Sequence, residues 1–272
     1  MSMIFEQTYD LLKRKYRSRF EGLILSDVKI GLYLTAVRLS DNSIGTSATL
    51  AEDHPFCAKS SRDFGDFTPL KIRGQKVPDI LEIHKESGLI FSLRTAVLNA
   101  ISSRIISSGN YKIVENCDPI KLIDLDHQKT ITIVGAFQSY IRKISETRNK
   151  LFVLELSENA LASEQKKFFV PAEEYEKILP ASDIVIITGQ TLVNGTIDNL
   201  LSVISPGTQV IITGPSCGIL PDILFENKVT IIGTISIIKP EILFDIVSEG
   251  GTGFHLFEYC AQKICILKGD EL

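Results

Sequence analysis

The chain has 272 residues, 44% of them hydrophobic, and a formal net charge of −4. That length exceeds what one small core serves and suits two domains of about 100–150 residues each, and the hydrophobic share excludes a disordered chain. The mild acidic excess argues against a nucleic-acid partner, and the apolar runs are too short and interrupted for the roughly 18 residues of a membrane span.

The charged, amphipathic opening around Glu6, Asp10, Lys13, Arg14 and Lys15 lacks the apolar core of a secretory signal. A cytoplasmic location is therefore expected, and the terminal Gly269-Asp270-Glu271-Leu272 imitates a retention tail by coincidence. Five cysteines at irregular spacing read as buried, reduced thiols.

In chain order, residues 5–20 read as a helix carrying Leu11, Leu12 and Tyr16. Val28, Ile30, Leu32, Leu34 and Ala36 recur at period two, which predicts one strand with a buried face. Asp41-Asn42-Ser43 marks a turn, residues 44–50 the returning strand of a hairpin, and the polar, irregular stretch 52–73 a long loop. A short helix over 77–85 precedes a longer one over 88–106, where Ile90, Leu93, Val97 and Ala100 alternate spacings of three and four. The pattern loosens after Glu115 around Asp118-Pro119, which sets the expected domains at 1–115 and 116–272.

From Thr130 onward, Val/Ile-rich runs at 131–134, 151–154, 184–187, 210–212, 229–232 and 264–267 alternate with helical patterns such as 139–146, 172–178, 196–204 and 240–248. Such runs indicate a parallel sheet buried on both faces. The fold class expected is α/β: a Rossmann-like parallel-sheet C-terminal domain preceded by a smaller α+β domain.

Open parallel sheets bind ligands outside the carboxyl ends of their strands. The richest ends are Thr188-Gly189-Gln190-Thr191-Leu192-Val193-Asn194-Gly195-Thr196 and Gly214-Pro215-Ser216-Cys217-Gly218. Asn194 or Thr196 is alternatively a turn or a cap for the following helix. Glu155 ends the second run, where an acidic residue holds the ribose of a nucleotide cofactor, and it reads equally as a solvated strand end. Gly135-Ala136-Phe137-Gln138 lacks the second and third glycines of the dinucleotide fingerprint. Ser216 fits a Gly-x-Ser-x-Gly pattern, but Gly218 and Pro221 oppose the helix that a nucleophile turn needs directly after its serine. His54 with Cys57, and His255 with Cys260 and Cys265, lack the spacing of a closed zinc site. The basic cluster Lys13 to Arg19 reads as a solvated helix face.

Together, Ala181-Ser182-Asp183, the Thr-Gly-x-Thr-x-x-Asn-Gly-Thr run from Thr188 to Thr196, Gly214-Pro215-Ser216 and Ser248-Glu249-Gly250-Gly251 resemble the putative heavy-metal chelation family of bacteria and archaea. Ile30-Gly31-Leu32, the stretch 45–50 and Ala96-Val97-Leu98-Asn99-Ala100 resemble the enolase N-terminal-like domain that precedes its Rossmann-like half. The resemblance implies a ligand cleft between the domains, lined by Thr188, Gly189, Thr191, Asn194, Thr196, Gly214, Pro215 and Ser216, with Asn99 and Glu155. Cys217-Gly218 after Ser216 and Ala136 after Gly135 depart from the family pattern.

The function expected is binding of a small polar ligand in that cleft, with a heavy-metal ion or metal chelate as the ligand suggested. Oxygen donors (Glu155, Thr191, Asn194, Ser216) outnumber the one soft candidate, Cys217, so a metal is expected to arrive with a co-ligand. The alternative is an enzyme, a transferase or lyase, using a nucleotide-type cofactor in an atypical Rossmann site; a ligand-free scaffold is the third reading. Neither a nucleic acid nor a membrane is expected as partner, and a homodimer follows only from the prevalence of two-fold assemblies.

Overall fold

The computed structural model describes residues 2–50, 65–109 and 111–269. His54, Cys57 and most of the expected 52–73 loop, with Asp270, Glu271 and Leu272 of the tail, lie outside the described residues.

Helix α1 (Met3–Tyr16) buries Ile4, Thr8, Leu11 and Leu12, the i, i+4, i+7, i+8 stripe of a helix docked on a core. Three antiparallel strands follow: β1 (Leu25–Ile30), β2 (Leu34–Leu39) and β3 (Ile44–Ala48), paired in that order. The single strand expected over 28–36 is thus two strands of a three-stranded meander. The chain reverses at Gly31, whose N–H donates to Leu34 O at 2.9 Å, and leaves Leu32 exposed in the turn. A period-two pattern runs unbroken through so short a turn, so alternation alone cannot reveal it. The Asp41 turn forms as expected, with Asp41 Oδ1 accepting from Ser43 N at 3.0 Å.

Helix α2 (Val77–Leu81) starts with Pro78 in its first turn. Helix α3 (Gly88–Ser108) packs on β2 and β3 and on α2. Among the described residues it is long and apolar enough to cross a membrane by length and composition, contrary to the reading of the sequence, but 78% of its most apolar window is buried inside the fold.

The larger sheet contains β4 (Lys112–Glu115), β5 (Thr130–Val134), β6 (Lys150–Glu155), β7 (Phe169–Pro171), β8 (Ile184–Thr188), β9 (Gln209–Thr213), β10 (Val229–Ile237) and β11 (Ala261–Leu267). Its order is β4-β11-β10-β9-β8-β5-β6-β7. Counted from β5, the six parallel strands run 3-2-1-4-5-6, the order of the doubly wound α/β sheet. The connections carry α4 (Gln138–Ser145), α5 (Tyr175–Ile178), α6 (Gln190–Val193), α7 (Ile197–Val203), α8 (Pro221–Glu226), α9 (Pro240–Ser248) and α10 (Gly253–Tyr259).

Every expected Val/Ile run is a strand, and successive residues serve opposite layers. Ile184 and Ile186 join a core with Ile141 and Ile144 of α4, whereas Val185 and Ile187 join Ile197 and Leu201 of α7. One direction differs from expectation: β11 is antiparallel to β10, and β4 antiparallel to β11. An apolar run reports burial, not direction, and here α9 and α10 lead back beside β10 instead of crossing over.

Candidate functional site

The parallel strands end on one rim, and their order reverses between β5 and β8. Register aligns Val134 with Leu154 and with Ile187. Gly135, Glu155 and Thr188 therefore stand one level higher, around the switch point. Gly135 has φ +107, open to glycine and strained for other residues, and a Cβ there would meet Thr188 Cγ2 at 3.1 Å.

Above these tips lies a hollow of about 550 Å3. Its polar wall is formed by Glu155, Thr188, Gln190 and Asn194, and Phe137 and Tyr175 form its aromatic wall. Phe137 is held by stacking on Tyr140, with ring centroids 5.4 Å apart. Thr188 Oγ1 accepts from Gln190 N at 3.4 Å, and Thr191 Oγ1 donates to Thr188 O at 2.7 Å. Asn194 Oδ1 accepts from Thr196 N at 3.1 Å and from Thr196 Oγ1 at 2.8 Å. Neither side chain caps α7: Asn194 closes a turn onto Thr196. Glu155 Oε1 accepts from Leu156 N at 2.7 Å, which fixes the carboxylate at the rim.

Glu155, Thr188, Thr191, Asn194 and Thr196 thus line one hollow. Asn99 and Pro215 line a different one, of about 590 Å3, between α3 and the far edge of the large sheet. Gly189, Gly214 and Ser216 pack on one another at the tips of β8 and β9: a Cβ on Gly189 would lie 3.4 Å from Ser216 Cβ, and one on Gly214 3.6 Å from Gly189 N. The residues expected around one cleft are therefore divided by the tip of β9. Ser216 is buried, its Oγ accepting from Ala48 N at 2.8 Å. Gln190, Gly218 and Thr234 line these hollows, although none is among the residues expected in the cleft; the strand-end rule covers all three, but only their packing distinguishes them.

A metal cage does not fit these residues. Among the described residues, no group of three His, Cys, Asp or Glu is placed to hold a metal. Cys217, the soft donor expected at the rim, is buried, and burial raises its thiol pKa far above the ordinary value, so a thiolate is disfavoured there. Cys265 Sγ donates to Cys117 O at 3.2 Å. His255 caps its own helix: Nδ1 accepts from Thr252 N at 3.0 Å.

The doubly wound sheet with a polar hollow at its switch point, joined to a three-stranded antiparallel sheet and a long buried helix, defines a mixed α/β protein. Residues 118–266 match the DUF364 family and residues 13–102 the DUF4213 family, both described as "putative heavy-metal chelation". The chain belongs to the DUF364 family. Among solved structures it is similar to a DUF364 protein of unknown function from Pyrococcus horikoshii, with 24% identity, TM-score 0.77, and 98% of this chain and 99% of that chain covered. It is also similar to one from Desulfitobacterium hafniense DCB-2, with 18% identity, TM-score 0.74, and coverage of 97% and 100%. At these identities the likeness shows the fold alone. Comparison with curated proteins found no match.

Proposed function

We propose that this protein binds a small, oxygen-rich polar ligand in the switch-point hollow, and that a heavy metal enters there as the complex of such a ligand. The observation that carries the reading is the convergence of Glu155, Thr188 and Asn194 on one 550 Å3 hollow where the strand order reverses. The Glu155 carboxylate accepts from hydroxyl groups of a ligand, and the Thr188 hydroxyl and Asn194 amide donate to its oxygens. They do not replace the water shell of a bare soft cation. The expected Rossmann-like support for the site agrees with the 3-2-1-4-5-6 order, and an enolase N-terminal-like companion agrees with the meander followed by α2 and α3.

Titration calorimetry and native mass spectrometry with Zn2+ alone, citrate alone and the zinc citrate complex test this. The complex should bind one-to-one, and Zn2+ alone should not. Asn194→Ala combined with Thr188→Val should weaken the complex at least about tenfold while the melting temperature moves by only a few degrees. Stoichiometric capture of Zn2+ alone, or binding of the complex undiminished in the double variant, would overturn the reading.

One feature favours a second reading. Glu155 ends the second strand in topological order, where an acidic residue meets the ribose of a nucleotide. A thermal-shift panel of NAD and S-adenosylmethionine discriminates: stabilisation that disappears in Glu155→Ala would support a nucleotide-type cofactor, and the leading reading expects none.

A further inference from the structure

The other hollow, of about 590 Å3, is of a size that serves small molecules. Its floor is one face of the antiparallel strands, where Thr234 lies opposite Ile264 and Ile266 opposite Ile113. Its roof is α3, through Asn99, Ser103 and Ile106, spaced for one side of a helix. Ile106, Ile113, Ile264 and Ile266 give the hollow an aliphatic patch, beside polar lining residues such as Ser103, Ser236 and Glu115.

Two polar atoms of its lining are unlike the rest. Asn99 Oδ1 and Thr234 Oγ1 are buried without a hydrogen-bond partner, on residues only 3% and 6% exposed. The Asn99 amide is not free to turn: Nδ2 donates to Thr46 O at 2.6 Å and to Ser216 O at 3.0 Å. Both of its N–H groups are committed, so Oδ1 is left as a lone acceptor. The two groups converge beside Gly218, where an added Cβ would stand 3.5 Å from Asn99 Cγ and 3.5 Å from Thr234 Oγ1. Buried polar atoms are ordinarily paired, and an unpaired acceptor next to an unpaired hydroxyl matches a group carrying both a donor and an acceptor.

We propose that this hollow is a second binding site, taking a neutral amphipathic small molecule whose primary amide or hydroxyl head meets Asn99 Oδ1 and Thr234 Oγ1 while its aliphatic body covers Ile113, Ile264 and Ile266. Neutrality follows from the charges nearby. Arg104 and Asp41, at the lining, are already paired with each other at 2.8 Å, and Glu115 stands two strands away from Thr234, with Ile264 between them. A charged head would lose its water there without gaining a counter-charge.

Saturation-transfer NMR on the full chain with octanamide as probe tests this, with methyl octyl ether as a control that lacks a donor. Wild-type protein should transfer saturation to the octanamide alkyl protons. Thr234→Val, which keeps the shape and removes the hydroxyl, and Gly218→Ala, which fills the space between the two lone atoms, should each weaken octanamide at least about tenfold. The ether should bind no better to wild type than to Thr234→Val. Thr234→Val should melt no lower than wild type, because the hydroxyl it removes has no partner. It should also leave zinc citrate binding at the other hollow unchanged, so the two readings fail separately. Absence of transfer to wild type, equal transfer to Thr234→Val, or a lowered melting temperature in Thr234→Val would each overturn the assignment.

Discussion

Asn99 on α3 donates Nδ2 to the main-chain oxygen of Ser216, 117 positions further along, at 3.0 Å. The same segment is held twice more: Thr46 Oγ1 donates to Pro215 O at 3.0 Å, and Ala48 N donates to Ser216 Oγ at 2.8 Å. The tip of β9 is therefore fastened to α3 and β3, and the Ser216 hydroxyl serves that fastening. Asn99→Ala would leave the oxygens of Thr46 and Ser216 without this donor, and stability should fall by about 3 kcal/mol. Urea unfolding measures it; a loss below about 1 kcal/mol would mean that the clamp does not hold the halves together.

The tips of β8 and β9 touch at Gly189 and Cys217. Gly189 has φ −61 and ψ −12, an ordinary helical conformation, so its backbone would accept alanine. The obstacle is lateral, because an added methyl would run into Cys217 Sγ. Gly189→Ala should destabilise by about 1–3 kcal/mol through overpacking. Adding Cys217→Ala should recover part of that loss, with a coupling of about 1 kcal/mol in a double-mutant cycle. Strictly additive unfolding energies would show that the two tips do not press on each other.

Much of this architecture was readable because burial on both faces leaves an uninterrupted mark. The runs at 131–134, 184–187 and 210–212 became the central strands β5, β8 and β9. Helix α9 was bounded by Pro240 at its first position. Strand β7 escaped notice because it has three residues and ends in Pro171 at the sheet edge, and β4 because it is a short outer strand with charged ends. For the site, the strand-end rule gives an address without a neighbourhood. It brought Glu155, Thr188 and Asn194 into view, but not that Asn99 and Pro215 line another hollow. That division depends on contacts between residues more than a hundred positions apart, such as Asn99 with Ser216, which leave no periodic trace.

Asp198 in α7 caps a helix from the opposite end of the chain. Its Oδ2 accepts from Met3 N at 2.5 Å, and its Oδ1 accepts from Ile4 N and from Ser2 Oγ, each at 3.1 Å. A carboxylate so placed satisfies first-turn N–H groups of α1 and opposes the positive end of its dipole. Asp198→Ala should cost about 1–2 kcal/mol, and Asp198→Asn less, because the asparagine keeps an acceptor and loses the charge. Amide exchange along residues 5–12 should accelerate in the alanine variant. Unaltered protection there would mean that α1 is held by its buried face alone.

Asp118, in the segment between β4 and β5, joins three elements. Lys263 Nζ of β11 donates to its Oδ2 at 2.5 Å, the Tyr140 hydroxyl of α4 donates to its Oδ1, and Ile120 N donates to Oδ1 at 3.3 Å. Burial by itself would raise this carboxyl's pKa, but the bonds from Lys263 and Tyr140 outweigh it and hold the carboxyl below the ordinary aspartate range. The unfolded chain, with an aspartate near pKa 3.9, therefore takes up the proton first as pH falls. The stabilisation from ionised Asp118 is complete above about pH 4 and disappears as pH drops through the folded value. Asp118→Asn should cost about 2 kcal/mol at pH 7, and the gap between variant and wild type should narrow steadily below pH 4 in urea titrations at stepped pH. Tyr140 adds the opposite limb: burial, and then the bond to Asp118, raise its pKa, so its contribution is present below about pH 10 and declines as the unfolded tyrosine ionises. A wild-type-to-variant difference that stays constant from pH 7 to pH 3 would show that the Asp118 carboxylate is not what ties α4 to β11.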